Sequence, residues 1–187
     1  MNSTKGYGRY VWLLWIVVTL EPHALGQKSP DAVPWAKGIK DPVTSIFRFE
    51  MGIYRRRVVS AAEAMPSEKY TFRPSFQKTT FAEIVTAVAE NNFESCAVAG
   101  GLDNPQSKGP TSSGDKAKLV AVLKSSFEFC EKAFSKLHDN QLGEVVFFTR
   151  EMMAERAGTL FALMEDWADN YRLAAVYFQL NGLEPPN

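Results

Sequence analysis

The 187-residue chain carries 21 lysines and arginines and 21 aspartates and glutamates, so its formal net charge is zero. A chain of this length forms one domain more readily than two, and a hydrophobic content of 45% is enough to fill a sizeable core. The balanced charge argues against a protein that binds nucleic acid by neutralising its phosphates. We therefore expect one globular domain without a nucleic-acid partner.

The first 26 residues have the features of a secretory signal peptide. Lys5 and Arg9 give a basic start, an apolar run follows from 10 to 20, and Ala24 and Gly26 form a small-x-small cleavage site. The apolar run is about half of the ~20 residues that a membrane-spanning helix needs. The sequence therefore predicts a periplasmic or secreted protein that meets the membrane only through this segment, before cleavage. An uncleaved N-terminal anchor is the alternative.

The folded domain is expected over residues 41–187, after a lead-in at 27–40 that is rich in proline, glycine and charge and is expected to be flexible. Asp41 followed by Pro42 predicts the start of the first helix, with Asp41 as its capping residue. Apolar residues then recur every three to four positions until Pro66, so the first helix is expected to end just before that proline.

A capping box marks the start of the second predicted helix, because the side chains and backbone of Thr80 and Glu83 can bond reciprocally. This helix is expected to end at Gly100, where a polar linker leads to a third helix that starts near Asp115. The third helix carries its large apolar residues and one cysteine on a single face: Leu119, Leu123, Phe127, Cys130, Phe134 and Leu137.

The segment 141–149 is expected to be a connector, and it carries no clear strand signal. Its apolar residues, Val145, Val146, Phe147 and Phe148, are expected to pack against an apolar surface. The last helix is expected to begin between Arg150 and Arg156 and to end at Leu180, before a glycine and two prolines. Four long helices with one apolar face each are typical of a four-helix bundle. The face of the last helix that is expected to be buried consists of Leu163, Asp166, Asn170, Leu173, Tyr177 and Leu180.

Asp166 and Asn170 are two polar residues, one turn apart, on this otherwise apolar face. Because buried polar groups need hydrogen-bond partners, they predict either a polar network or the lining of a site. Partners for a network are available in Asn91 and Asn92 of the second helix and in the arginines of the first helix.

The mature chain has two cysteines, Cys96 and Cys130. Whether they can form a disulfide depends on the relative direction of the two middle helices. If these helices are antiparallel, the sulfur atoms differ in height by roughly 15 Å at 1.5 Å per residue. If the linker crosses over and the helices run parallel, the cysteines lie level and a disulfide can form outside the cytoplasm. We hypothesise a parallel pair with this disulfide; two unpaired buried cysteines are the alternative.

Three segments resemble parts of one known family: the ending NYRLAAVYFQLNGLEPPN, the stretch from Ala61 to Gly101, and KAKLVAVLKSSFEFCEKAF. The family is that of the DinB/YfiT-like proteins. The ending NYRLAAVYFQLNGLEPPN is similar to the family's closing pattern, close to HxxxHYGQLVVYLRLNGIVPP. The segment from Ala61 to Gly101 resembles the family's first helix end, loop and second helix, and KAKLVAVLKSSFEFCEKAF resembles its third helix. The resemblance implies an all-α four-helix bundle, here with a crossover between the second and third helices as an option.

The resemblance also implies a divalent metal held by three histidines, one on the second helix and two at i and i+4 on the fourth. The matching positions here are Ala87, Asp166 and Asn170, so all three histidines are absent. Ala87 offers no donor, although Glu83, one turn before it, could bring a carboxylate to the same space. We therefore expect no metal or other cofactor at these positions.

The sequence thus predicts an exported DinB-like bundle of unknown specific activity that has lost the family's metal site. It would bind a small polar ligand in a pocket near Ala87, Asp166, Asn170 and Glu83, or serve a structural role. The alternative is a divalent-metal-dependent transferase that uses a low-molecular-weight thiol, with ligands rebuilt from carboxylates. Whether the chain is a monomer or a homodimer is left open.

Overall fold

A computed structural model describes residues 38–75, 79–106, 115–147 and 153–186. The predicted signal peptide at 1–26 and most of the lead-in therefore lie outside the described residues. Within the described ranges the fold is an all-α bundle, as expected, with one small hairpin added. Its elements are α1 (Pro42–Ala64), α2 (Phe81–Gly100), α3 (Lys116–Phe134), β1 (Val145–Phe147), β2 (Met153–Glu155) and α4 (Arg156–Leu180).

The two middle helices run parallel, which the sequence offered as one of two arrangements. Asn92 of α2 bonds to Ser126 of α3, and Phe93 contacts Phe129, so the contacts advance in the same direction along both helices. Two parallel helices that follow each other in the chain need a crossover connection. The segment between Gly100 and α3, part of which is described, provides that crossover.

The outer helices α1 and α4 are also parallel to each other. Tyr54 of α1 contacts Trp167 of α4, and Arg57, one turn further on, lies over the ring of Tyr171. The pair formed by α2 and α3 runs the opposite way. Near its N-terminus α2 meets the end of α4, where Phe81 contacts Phe178.

A disulfide joins Cys96 of α2 to Cys130 of α3, with a Cα–Cα distance of 5.1 Å. Both cysteines are completely buried. One turn beyond, Gly100 lies so close to α3 that a Cβ atom added to it would be 2.7 Å from the Cβ of Ala133. The absence of a side chain at Gly100 thus permits the close approach of these two helices.

Trp167 occupies the centre of the bundle and is completely buried. Its rings lie 5.8 Å from Phe47 and 5.7 Å from Phe127, measured between centroids. Its indole Nε1 donates to Asn92 Oδ1 at 2.6 Å, and Asn92 Nδ2 donates to Ser126 Oγ at 2.9 Å. The one polar atom of the indole is therefore satisfied inside the core, as burial requires.

Side chains from other elements bind both ends of α1. At its start the carboxylate of Asp139 accepts from the backbone N–H groups of Val43 and Thr44. At its end Lys116 Nζ donates to the carbonyl oxygens of Glu63 and Met65, at 2.6 and 2.8 Å. These contacts satisfy backbone groups that a helix leaves free at its termini.

Several local predictions are confirmed and others are wrong. The capping box of Thr80 and Glu83 is formed, and α4 begins at Arg156, inside the expected interval. The prediction that the apolar residues of the connector pack against an apolar surface is wrong for Val145 and Phe147, which have exposed fractions of 63% and 69%. Leu142, earlier in the same connector, does pack against the core. Leu180 is also misassigned to the buried face of α4: it is 48% exposed, at the last residue of the helix.

Within the described ranges, none of the helices combines the length and the apolar character that crossing a lipid bilayer would require.

Candidate functional site

Asp166 of α4 is half-buried, and the two oxygen atoms of its carboxylate differ in their hydrogen bonding. Oδ1 accepts a hydrogen bond from Asn170 Nδ2 at 3.1 Å, one turn along the same helix. Oδ2 is buried and has no hydrogen-bond partner. Burial raises the pKa of this carboxyl above its ordinary value of 3.8, although the neighbouring amides of Asn91 and Asn170 oppose the shift.

Asn91 is the residue of α2 that faces Asp166. Its amide lies near enough to favour the charged carboxylate and so oppose the rise in its pKa, but Oδ2 of Asp166 still lacks a bonded donor. The Oδ1 atom of Asn91 accepts from Ser95 Oγ at 2.7 Å, which fixes the amide from the other side. Ser95, Asn91, Asp166 and Asn170 thus form a polar row between α2 and α4.

Aromatic side chains and one cation lie on the α1 side of the same part of α4. The guanidinium carbon of Arg57 is 5.6 Å from the ring centroid of Tyr171 and 6.0 Å from that of Tyr54. These distances are those of cation–π contacts. The hydroxyl of Tyr171 donates to the carbonyl oxygen of Pro186 at 2.6 Å, which holds the C-terminal segment against α4.

The sequence placed two further residues at this site, and the structure locates both on the exposed surface of α2. Ala87 is exposed, one turn before Asn91. Glu83 lies about 12 Å before Asn91 along the helix axis, at 1.5 Å per residue. The carboxylate of Glu83 is used at the helix start, where Oε2 accepts from Thr80 N at 2.6 Å and Thr80 Oγ1 at 2.9 Å.

Those bonds from Thr80 also lower the pKa of the Glu83 carboxyl below its ordinary value of 4.5. Arg73 adds an ion pair to the same oxygen at 3.4 Å. The carboxylate of Glu83 therefore caps α2 and forms an ion pair with Arg73. The structure brings together Asp166 and Asn170, as the sequence predicts, but it does not bring Glu83 to them.

The donor atoms around Asp166 do not fit a divalent cation held by three protein ligands. In the part of the chain that the structure describes, no three His, Cys, Asp or Glu side chains lie close enough together to hold a metal. Asn170 presents its amide N–H group to Asp166, and the oxygen of Asn91 is taken by Ser95. A hard cation needs several oxygen ligands, and Asp166 supplies the one carboxylate.

From the sequence, Asn91 is one of several possible partners for Asp166, and no pattern along the chain selects it. Asn91 and its neighbour Asn92 differ by about 100° in direction around the helix, at 3.6 residues per turn. The structure separates their roles, since Asn92 bonds to Trp167 in the core while Asn91 faces Asp166. Ser95 was missed, although its position four residues after Asn91 is the spacing at which helix side chains meet.

The fold defines a class of helical bundle in which two parallel middle helices are joined by a crossover. No protein-family model and no curated protein sequence matches this chain. Among solved structures, the chain is similar to a DinB-like protein, YjoA, from Bacillus subtilis, with a TM-score of 0.63 and 17% sequence identity. The match covers 76% of this chain and 96% of that chain. The chain therefore has the DinB-like fold.

Proposed function

We propose that the protein is an exported DinB-like bundle that binds a small polar ligand at Asp166 without a metal. The observation that carries the proposal is the buried Oδ2 atom of Asp166, which has no donor although Oδ1 is bonded to Asn170. A buried acceptor without a partner costs about 1–3 kcal/mol. A ligand that donates a hydrogen bond to Oδ2 offsets this cost, so the chemistry favours a small amine or amide.

Calorimetry or thermal unfolding with a panel of small probes tests this binding. Methylammonium, ethanolamine and acetamide are the donor probes, and acetate is the matched control without an N–H group. We expect a donor probe to bind the wild type and to bind at least about tenfold more weakly to Asp166→Asn, since losing a hydrogen bond to a charged group costs about 1.5–3 kcal/mol. Equal affinity for both proteins, or no binding by any donor probe, contradicts the proposal.

Export is supported by two independent features. The first 26 residues read as a cleavable signal peptide, and a buried disulfide between Cys96 and Cys130 is of the kind that persists outside the cytoplasm. Mass spectrometry of the protein from fractionated cells tests this. We expect a mature chain that begins at Gln27 and contains no free thiol. A full-length chain in the cytoplasmic fraction with two free thiols would be the contrary result.

The alternative function is a divalent-metal-dependent transferase that uses a low-molecular-weight thiol. Two contacts weigh against it, because each leaves fewer oxygen atoms for a metal at this site. Asn170 directs its N–H group, not its oxygen, toward Asp166, and the carboxylate of Glu83 is bonded at the start of α2. Metal analysis of the mature protein after dialysis distinguishes the two functions. Zinc, nickel or manganese retained at one ion per chain would favour the transferase over a metal-free site.

A further inference from the structure

Exposed large apolar residues are concentrated at one end of the bundle. Eleven such residues occur in the described part of the chain, and nine lie where α1 and α4 begin and α2 ends. The other two, Val176 and Leu180, lie near the opposite end of α4. We call the nine residues the apolar end: Ile39, Val43, Ile46, Phe49, Leu102, Val145, Phe147, Met153 and Phe161.

A groove between α1 and α4 lies within the apolar end. Val43 and Ile46 form one wall, Phe161 and Met164 form the other, and Leu142 contributes from the connector. The groove has a volume of about 230 Å³, and every residue that lines it is apolar. Ile46 and Phe161 project strongly into solvent from this groove, with exposed fractions of 62% and 59%. The apolar end therefore has both a concave surface and projecting side chains.

The hairpin carries further exposed apolar residues at the same end of the bundle. Val145 and Phe147 point to the same side of β1, because side chains alternate along a strand, and Phe147 pairs across the hairpin with Met153. All three are at least 63% exposed. Adjacent large apolar side chains that are exposed together are typical of a surface that contacts another molecule.

The size of the apolar end matches what a stable protein interface needs. A large apolar side chain that is roughly half exposed presents about 100 Å², so the nine residues present roughly 900 Å². A stable interface buries about 800 Å² on each partner, and homodimer interfaces are the more apolar ones.

We propose that the apolar end is the interface of a homodimer. In a twofold dimer the same surface serves both partners, so one surface must carry both concave and projecting parts, as this one does. A lipid surface fits less well, because Glu155 lies opposite Val145 on the outward side of the hairpin, where anionic headgroups would repel it. The projecting side chains of one copy, with Ile46 and Phe161 at their centre, pack against the groove of the other.

Sedimentation equilibrium of the mature protein over a dilution series tests the proposal. We expect twice the mass of one chain for the wild type. Ile46→Lys and Phe161→Glu each place a charge in the interface and should weaken the dimer at least about tenfold. Val176→Lys and Leu180→Lys are matched controls, because these exposed apolar residues lie away from the apolar end and should leave dimerisation unchanged.

Far-ultraviolet circular dichroism and urea unfolding show whether each variant is still folded. A wild type that remains a monomer throughout the series overturns the proposal. Dimerisation that Val176→Lys or Leu180→Lys weakens, while Ile46→Lys and Phe161→Glu do not, also overturns it. Binding of the monomer to phosphatidylglycerol vesicles would assign the apolar end to a membrane surface and would equally contradict the homodimer.

Discussion

Asp41 and Asp139 are joined by reciprocal hydrogen bonds at the start of α1: Asp139 caps the helix that Asp41 precedes, and Asp41 binds the backbone of Asp139. Asp41 immediately precedes the helix, but its side chain does not cap it; the carboxylate of Asp139 does, at 3.0 Å from Val43 N and 2.9 Å from Thr44 N. In return, Asp41 Oδ1 accepts from Asp139 N at 3.0 Å, and Asp41 Oδ2 lies 2.7 Å from His138 Nδ1. The two carboxylates thereby join the start of α1 to the connector that follows α3.

This exchange predicts a loss of stability in acid. The hydrogen bond to His138 lowers the pKa of Asp41, and the bonds from Thr44 and Val43 outweigh desolvation and lower the pKa of Asp139. Both carboxyls are then less protonated in the folded chain than in the unfolded chain. Their stabilisation is therefore complete above the ordinary value of 3.8 and is lost as the pH falls through the lower folded values.

Urea unfolding of wild type and of Asp41→Asn/Asp139→Asn as a function of pH checks this prediction. We expect the double variant to be less stable than the wild type at neutral pH and to show a smaller further loss below pH 3.8. Asp169→Asn is the matched control, since Asp169 is an exposed aspartate whose contact is an ion pair with Arg172 on the same helix. A double variant with the same acid profile as the wild type would show that the exchange does not contribute.

The sequence was sufficient where a feature depends on neighbours along the chain. The Thr80–Glu83 capping box lies within three residues and was predicted correctly, and α3 starts next to Asp115 as expected. The cap of α1 could not be predicted in this way, because Asp139 is 95 positions away from Thr44, and a nearer aspartate satisfied the local rule. The parallel middle helices could be anticipated because the two cysteines lie at equal depth in their helices.

Periodicity along the sequence could not distinguish buried apolar residues from exposed ones. Leu180 and Phe147 fit the patterns of core residues, but each is about half exposed or more. Both lie on the side of their element that faces away from the bundle core, which the sequence does not reveal. At the site, Asp166 and Asn170 are hydrogen-bonded to each other, which agrees with their spacing of one helical turn. The exposure of Ala87 could not be predicted from the sequence, because it depends on how α2 is rotated about its axis against the neighbouring helices.

Asn92 is expected to matter much more to stability than its neighbour Asn91. Replacing Asn92 by Ala leaves Trp167 Nε1 without an acceptor in the core and removes the bond to Ser126. Each buried group left unsatisfied costs about 1–3 kcal/mol, so Asn92→Ala should lower the free energy of unfolding by roughly 2–4 kcal/mol. Asn91→Ala, at the partly exposed site, should cost less than about 1 kcal/mol. Urea unfolding of both variants measures the difference, and equal losses would contradict the central role of Asn92.

Two glycines inside helices are expected to respond oppositely to alanine. At Gly100 the added Cβ would lie 2.7 Å from the Cβ and 3.0 Å from the Cα of Ala133, so α2 and α3 must move apart. Gly100→Ala should therefore cost about 1–3 kcal/mol. At Gly52 the nearest atom is in the flexible side chain of Arg56, at 3.9 Å, so Gly52→Ala should stabilise α1 by about 0.5–1 kcal/mol. Thermal unfolding midpoints test the pair, and a stabilising Gly100→Ala would refute the close packing.

The disulfide should contribute strongly to stability under oxidising conditions. It closes a loop of 34 residues between Cys96 and Cys130, for which the chain-entropy relation gives about 4 kcal/mol. Reduced wild type should therefore unfold at a lower urea concentration than the oxidised protein. Cys96→Ala/Cys130→Ala should be no more stable than reduced wild type and should not respond to reductant. A wild type whose midpoint is unchanged by reductant would contradict this contribution.

Asp166 is expected to make the folded state less stable when it is charged. Burial raises the pKa of its carboxyl, so the folded chain holds this proton more tightly than the unfolded chain does. The sign is opposite to that of Asp41 and Asp139: charging Asp166 weakens the fold as the pH rises from 3.8 through the folded pKa. Asp166→Asn copies the shape of the protonated form, so its stability relative to wild type should increase from acid to neutral pH. Parallel urea titrations at several pH values measure this difference. If Asp166→Asn is instead less stable than wild type at neutral pH, the charged carboxylate contributes to the fold and its second oxygen has a donor.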